Sequence, residues 1–316
     1  MIDETELRLL DEALVRATRS ATGPELDAAL VEVGWSEALE AAPEAAIRLL
    51  FAAQGRSGVT SGALSLVLAA GLAQPATPAV VMPSPGTSRP PGQVHGDRVT
   101  VDGLVSSGAA DGTLVVAASV DAGKHVLLSV PTRDLQLRPV SALDPALRLV
   151  QVHGDAAVVA PAPLTLWSSA LRLGRLALGH ELVGAGRTML ELARTHALDR
   201  EQFGRRIAAF QAVRHRLAET LVALESAQAL LEAAELDGSD VTAAMAKASA
   251  GRAAATASRH CQQVLAGIGF TTEHRFHLFA RRVLVLDQLL GSTRTLTREL
   301  GEQVLSARRL PPPLPL

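Results

Sequence analysis

The chain has 316 residues, 48% of them hydrophobic, which is enough for two or three compact units with buried cores. A formal net charge of -2 offers no global field for nucleic acid or an anionic membrane, so anion binding has to be local. The single cysteine, Cys261, excludes an internal disulfide, and the start is acidic without the apolar run of a signal peptide. The longest apolar tract, 62–73, falls short of the ~20 residues that cross a bilayer, so a cytoplasmic protein is expected.

Residues 1–73 show helical spacing, with Leu7, Leu10, Leu14 and Val15 on one stripe and Ala46, Ile47, Leu50 and Phe51 on another. Gly23-Pro24 and Ala42-Pro43 separate the helices, and an N-terminal helical domain is expected here. Residues 74–92 are rich in Pro, Ser, Thr and Gly and read as an irregular connection. Over 93–160, short β-branched runs such as Thr113-Leu114-Val115-Val116-Ala117 alternate with turn signals at Asp102-Gly103 and Asp111-Gly112, which predicts a small antiparallel β domain. From 161 to 316 the pattern is helical again. Leu171, Leu178, Leu182 and Ala185 share a face, and further helices are expected over 210–234, 241–266, 273–290 and 295–307, ended by the Pro-rich tail at 311–313. The fold class is therefore α+β, closing on a helical bundle.

Between two of these helices lies Leu198-Asp199-Arg200-Glu201-Gln202-Phe203-Gly204-Arg205-Arg206, a charged turn around a glycine. An Arg beside such a turn can give two parallel hydrogen bonds to one phosphate, although Arg at helix ends commonly just answers the helix dipole. Downstream come Gln262-Gln263-Val264-Leu265-Ala266-Gly267-Ile268-Gly269-Phe270 and then Gly291-Ser292-Thr293. By local chemistry alone Gly267 and Gly269 read as a helix-terminating turn.

Together these stretches resemble the C-terminal helical domain of the acyl-CoA dehydrogenases. The family pattern is Arg-x-x-Phe-Gly, a following Phe-Gln, Gln-x-x-Gly-Gly-x-Gly-Phe and a Gly-Thr-Ser-like turn. Arg200, Phe203, Gly204, Phe210, Gln211, Gln263, Gly267, Gly269 and Phe270 fall in order at its spacing, with Ala266 replacing one glycine. The resemblance is specific from about Leu171 onward. It implies a shortened N-terminal helical domain, a middle β domain of barrel or sheet form and a C-terminal four-helix bundle. A shorter N-terminal wall suggests an open acyl pocket for bulky substrates. Ser106 to Asp111 echo a flavin-adjacent loop, while the Thr-Glu-Pro and Gly-Ser-Asp loop is missing.

The resemblance also implies chemistry. A family member abstracts an α proton with a glutamate while a β hydride passes to flavin. That glutamate stands either just before the Gly of the Gly-Thr-Ser turn, here Leu290, or just before an Arg on the first bundle helix, here Gly174 before Arg175. Neither side chain accepts a proton, so no catalytic residue is assigned; Asp287 and Glu181 are the nearest acids, and acids at such positions are usually solvated. Arg200, Phe203, Gln263, Gly267 and Gly269 correspond to residues that hold FAD belonging to a neighbouring subunit. A chain that reaches into a partner's flavin but lacks a base resembles one subunit of the α2β2 acyl-CoA dehydrogenases of actinobacterial steroid catabolism, with acyl-CoA mainly in the partner's site. The alternative is a non-enzymatic scaffold or acyl-CoA binder on the same fold. His274 and His277 lack zinc-site spacing, Cys261 reads as a small core residue, and the basic cluster of Arg205, Arg206, Arg214 and Arg216 lacks the aromatic interleaving of a nucleic-acid site.

Overall fold

The structure, a computed structural model, describes residues 3–74, 79–106, 112–121, 124–141, 143–158, 161–163 and 166–308. Five helices come first: α1 (Glu4–Ser20), α2 (Pro24–Glu32), α3 (Trp35–Ala41), α4 (Pro43–Ser57) and α5 (Ala63–Gly71). Asp3 caps α1 by accepting from the Glu6 amide at 2.8 Å, and the Glu6 carboxylate accepts from the Asp3 amide at 2.9 Å. Pro24 and Pro43 open α2 and α4, where a missing N–H is harmless. The stripes read from the sequence point inward, with Leu14, Ile47, Leu50 and Phe51 buried.

A sheet follows, built from β1 (Met82–Pro83), β2 (Gly92–His95), β3 (Arg98–Ser106), β4 (Thr113–Asp121), β5 (Lys124–Pro131), β6 (Gln136–Pro139), β7 (Leu149–Ala157) and β8 (Ala162–Pro163). Its order is β6-β7-β3-β2-β4-β5-β8, with β1 also on β3. It is mixed rather than purely antiparallel, because β2 runs parallel to β4. Val99, Val101, Leu114, Val116, Val130 and Val152 form a core on one face, while Leu104, Val115 and Ala117 on the other join the helical core. Two expectations are corrected here. The stretch 74–92 is not wholly irregular: Met82 pairs with Leu104, Val80 bridges Val115, and Gly92 opens β2. Asp102-Gly103 is no turn but mid-strand, paired with His153 and Val152 of β7. Pairing on both flanks outweighs the local turn preference, and the bare Gly103 lets the Met82 carbonyl approach where a Cβ would collide. The turn at Asp111-Gly112 and the loop from Ser107 to Asp111 involve residues outside those described.

The remaining helices are α6 (Trp167–Asp199), α7 (Gln211–Asp237), α8 (Asp240–Leu265), α9 (Phe276–Gln288) and α10 (Thr293–Ala307). At 33 residues α6 is about 50 Å long and forms the axis on which the others pack. Small residues on α8, including Ala246, Ala250, Ala253, Ala254 and Ala257, lie buried and let the two helix axes approach closely. This is how a chain with 3% aromatic residues closes a large core. One expected boundary moves. The helix read over 273–290 spans Phe276–Gln288, and Leu289 is extended, so Leu290 lies beyond the helix.

Candidate functional site

The resemblance singled out two places, and they have opposite character. The first is the far end of α6, where the chain leaves the helix at Arg200 and turns through a short hairpin of β9 (Glu201–Gln202) and β10 (Arg205–Arg206). The two turn residues, Phe203 and Gly204, have φ of 53° and 73°. A mirror-image hairpin turn demands positive φ at both positions, which glycine meets freely and phenylalanine meets only with strain. Phe203 is nevertheless 91% exposed. Its ring stands edge-on to Phe210 at 6.1 Å, and the Arg205 guanidinium stacks 4.2 Å from the Phe210 centroid. The strained, exposed ring is thus held in place. Arg200 is exposed, and among the described residues its guanidinium has no hydrogen-bond or ion-pair partner.

The glycine-rich turn ends α8. Ala266 adopts φ 52° and ψ -130°, an unusual backbone for a residue with a side chain, and Ala266–Phe270 form a 3-10 turn. Gln262 donates from Nε2 to the Ala266 carbonyl at 3.2 Å and packs on Gly269, where a Cβ would stand 2.5 Å from that nitrogen. Gly269 is therefore explained by packing inside the chain. Gly267 is not, since a Cβ there would meet nothing within 4 Å and its φ is not in the left-handed region. Gln263 is exposed and, with Arg259, Gln262, Ala266, Gly267 and Phe270, borders an open hollow of about 520 Å³. Phe270 is 78% exposed. α6 and α8 run parallel, with Arg175 and Lys247 sharing the Leu290–Gly291 turn and Gly186 beside Ala257, so the two pieces lie at the same end of the bundle. Arg205, Arg206, Arg214 and Arg216 are all exposed there as well.

The second place is internal. Leu290 and Gly174, far apart in sequence, meet in space, and a Cβ on Gly174 would collide with Cδ1 of Leu290. Leu290 has φ 54° and Gly291 has φ 98°, and this strained turn is gripped by two buried cations. Lys247 Nζ donates to the carbonyls of Asp287 and Gly291, each at 2.5 Å, and Arg175 Nε donates to the Leu290 carbonyl at 3.3 Å. Burial pulls the Lys247 amine down from 10.5 to about 8, with Asp287 opposing. Sequence reading missed Lys247, although a lone lysine at helical spacing in the alanine stripe of α8 was a visible signal.

Both nearby acids are paired, Glu181 in the core and Asp287 with its side chain 22% exposed. Asp287 accepts from the Thr293 hydroxyl at 2.5 Å and from the Thr293 amide at 3.2 Å, which ties α9 to the start of α10. Glu181 is 4% exposed and accepts from Arg282 Nε at 3.0 Å. Arg282 also donates to Thr60 Oγ1 at 3.0 Å and to the Val59 carbonyl, and lies 3.6 Å from Asp144. Burial raises the Glu181 carboxyl above its usual range, and Arg282 opposes that. Glu181 is committed to structure because Arg282 of α9 joins α6 to the chain that follows α4, and Asp287 because it joins α9 to α10. Cys261 is buried, its thiol pushed up to about 12 by desolvation. Among the described residues, no group of three or more His, Cys, Asp or Glu is placed to hold a metal, and no helix is long and apolar enough to cross a membrane.

Comparison with known proteins bears on these features. Residues 164–305 match the family model "Acyl-CoA dehydrogenase, C-terminal domain". The chain is 33% identical over 168 residues to the acyl-CoA dehydrogenase IpdE2 of Mycobacterium tuberculosis, a match covering 53% of this chain and 51% of that protein. It is 36% identical over 202 residues to FadE34 of the same organism, covering 60% of this chain and 27% of that one. The chain thus spans about half or less of the length of these relatives. Among solved structures, the ChsE4-ChsE5 complex from Mycobacterium tuberculosis superposes with a TM-score of 0.79 at 19% identity over 99% of both chains. The Tcur3481-Tcur3483 steroid ACAD does so with 0.73 at 20% identity over 96% of both. Residues 164–305 therefore match an acyl-CoA dehydrogenase C-terminal domain, in a chain that has the acyl-CoA dehydrogenase fold.

Proposed function

We propose that this chain is the base-lacking subunit of a heteromeric FAD-dependent acyl-CoA dehydrogenase, and that it completes the flavin site of a catalytic partner of the same fold. The reaction is α,β-desaturation of an acyl-CoA, and a steroid-derived acyl group is the reading supported by the neighbours, which include a protein described as a steroid ACAD and a two-component complex.

The observation that carries the reading is the contrast between Gly267 and Gly269. Packing within the chain accounts for Gly269, whereas nothing inside the chain requires Gly267 to lack a side chain. A glycine bare toward an open hollow allows close approach by something from outside, and proteins of this fold normally bind FAD. The neighbouring groups fit a dinucleotide: Arg200 offers a planar pair of donors to a phosphate, Gln263 and the backbone amides of the turn offer neutral donors, and Phe203 and Phe270 offer flat apolar faces. Bound FAD would supply the acceptor for the β hydride. This chain's residues would only hold and orient it, because Leu290 and Gly174 take no proton and Asp287 and Glu181 are already paired.

Co-expression with an acyl-CoA dehydrogenase-like partner, followed by native mass and flavin absorbance, tests the assignment. Equal subunits with one FAD per pair, and loss of flavin in Arg200→Ala, are expected. A stable assembly of this chain alone with one FAD per protomer would overturn it.

A further inference from the structure

At the opposite end of α6 from the hairpin, the starts of α6 and α8 and one side of α10 enclose a cavity of about 250 Å³. At the ~30 Å³ that a water takes in the liquid, it has room for about eight waters, less than a drug-sized ligand needs. Its floor is buried. Leu171, Ala244 and Leu296 supply apolar wall there, and Arg175, only 7% exposed, reaches it from α6. Arg175 gives its Nε to the Leu290 carbonyl, but its two terminal nitrogens have no partner among the described residues. They are not sealed from solvent, so they face the cavity.

The rim carries the opposite charge, in Asp240 at the start of α8 and Glu299 on α10. Glu299 accepts from Ser88 Oγ at 3.3 Å through Oε2, while its Oε1 and the Asp240 carboxylate have no partner among the described residues. Burial lowers the Arg175 guanidinium from its usual range, and the charges of Glu299 and Asp240 oppose that. The three groups thus sense one another across the cavity, yet among the described residues Arg175 forms no ion pair with either acid. A buried charge left short of partners is costly, so this gap favours a ligand that pairs with both signs. A bare carboxylate would have to pass two acids, and a bare amine would meet a buried guanidinium. We propose that the cavity binds a small aliphatic amino acid, with its carboxylate on Arg175, its ammonium between Asp240 and Glu299, and its side chain against Leu171, Ala244 and Leu296. The fork of an arginine suits a carboxylate, and an ammonium has three protons to share between two acids.

Calorimetric titration of the full chain tests this and needs neither partner nor flavin, so it fails or succeeds separately from the shared-flavin reading. L-Leucine should bind saturably. Isocaproate, which lacks the ammonium, and isoamylamine, which lacks the carboxylate, should each bind at least about tenfold more weakly, the worth of one charged hydrogen bond. Glu299→Gln removes a charge and keeps the shape, so it should weaken leucine binding about tenfold while moving the unfolding midpoint by less than about 2 °C. Arg175 stays in place in this test, because it also holds the Leu290 turn. Lack of saturation by L-alanine, L-valine and L-leucine at millimolar concentration would overturn the inference. So would isocaproate or isoamylamine binding as tightly as leucine, or leucine binding that Glu299→Gln leaves unchanged.

Discussion

The exposed end of α6 and the interior around Leu290 are both strained, and they spend that strain differently. At the hairpin, Phe203 holds a positive φ while its ring faces solvent, and the adjacent turn keeps Gly267 bare with nothing of its own against it. At Leu290 a positive φ is enclosed by apolar side chains and clamped by Lys247 and Arg175. Strain that persists needs surroundings that hold it. Inside, the surroundings are present and the strain serves packing. Outside, Phe210 packs on the Phe203 ring and the rest of it meets solvent.

The comparison can be broken most severely in the interior. Arg282→Leu leaves Glu181 buried without its cation and should cost about 3–5 kcal/mol in denaturant unfolding. A loss below ~1 kcal/mol would mean that water reaches Glu181 and that the core is looser than described. Leu290→Ala should cost about 2–5 kcal/mol, since the clamped turn cannot collapse into the hole.

Lys247 sharpens the same point through pH. Its folded-state pKa is lowered from 10.5 to about 8, so between those values the unfolded chain binds more protons and stability rises with pH. Lys124 is the other lysine and the chain has no tyrosine, so few groups compete in this range. Cys261, shifted from 9.0 up to about 12, acts in the opposite sense once pH passes its unfolded value, so the rise should be read between pH 8 and 9. Lys247→Met should flatten that slope.

At the exposed end, changes should hardly move the fold. Arg200→Ala should alter the lone chain's stability by less than about 0.5 kcal/mol, yet lower the flavin affinity of an assembly by roughly 10- to 100-fold, the worth of a charged hydrogen-bond pair. Equal effects on folding and flavin would erase the contrast. The smallest change runs the other way. Ala266→Gly should raise stability by about 1 kcal/mol by relieving a backbone that glycine adopts freely.

Much of the helical architecture was legible in order along the chain. Prolines marked the starts of α2 and α4, and the apolar stripe from Leu171 to Ala185 marked α6, because a helix that buries one face must repeat its apolar residues at the helical period. The sheet was less legible. Asp102-Gly103 has the local chemistry of a turn, but strands on either side and the close Met82 carbonyl made it mid-strand. Likewise Glu181 and Asp287 carry no mark in sequence that separates a free acid from a paired one.

The sequence by itself determined which groups could do chemistry. Leucine and glycine at positions 290 and 174 accept no proton in any fold, and the spacing of Arg200, Phe203, Gln263, Gly267 and Gly269 was visible as a pattern. Only the tertiary structure decided that positions 174 and 290 meet, that the acids beside them are already paired, and that Gly267 opens outward while Gly269 packs inward. The reason is physical: side-chain chemistry is a property of the residue, whereas burial, pairing and close approach belong to neighbours that chain order does not name.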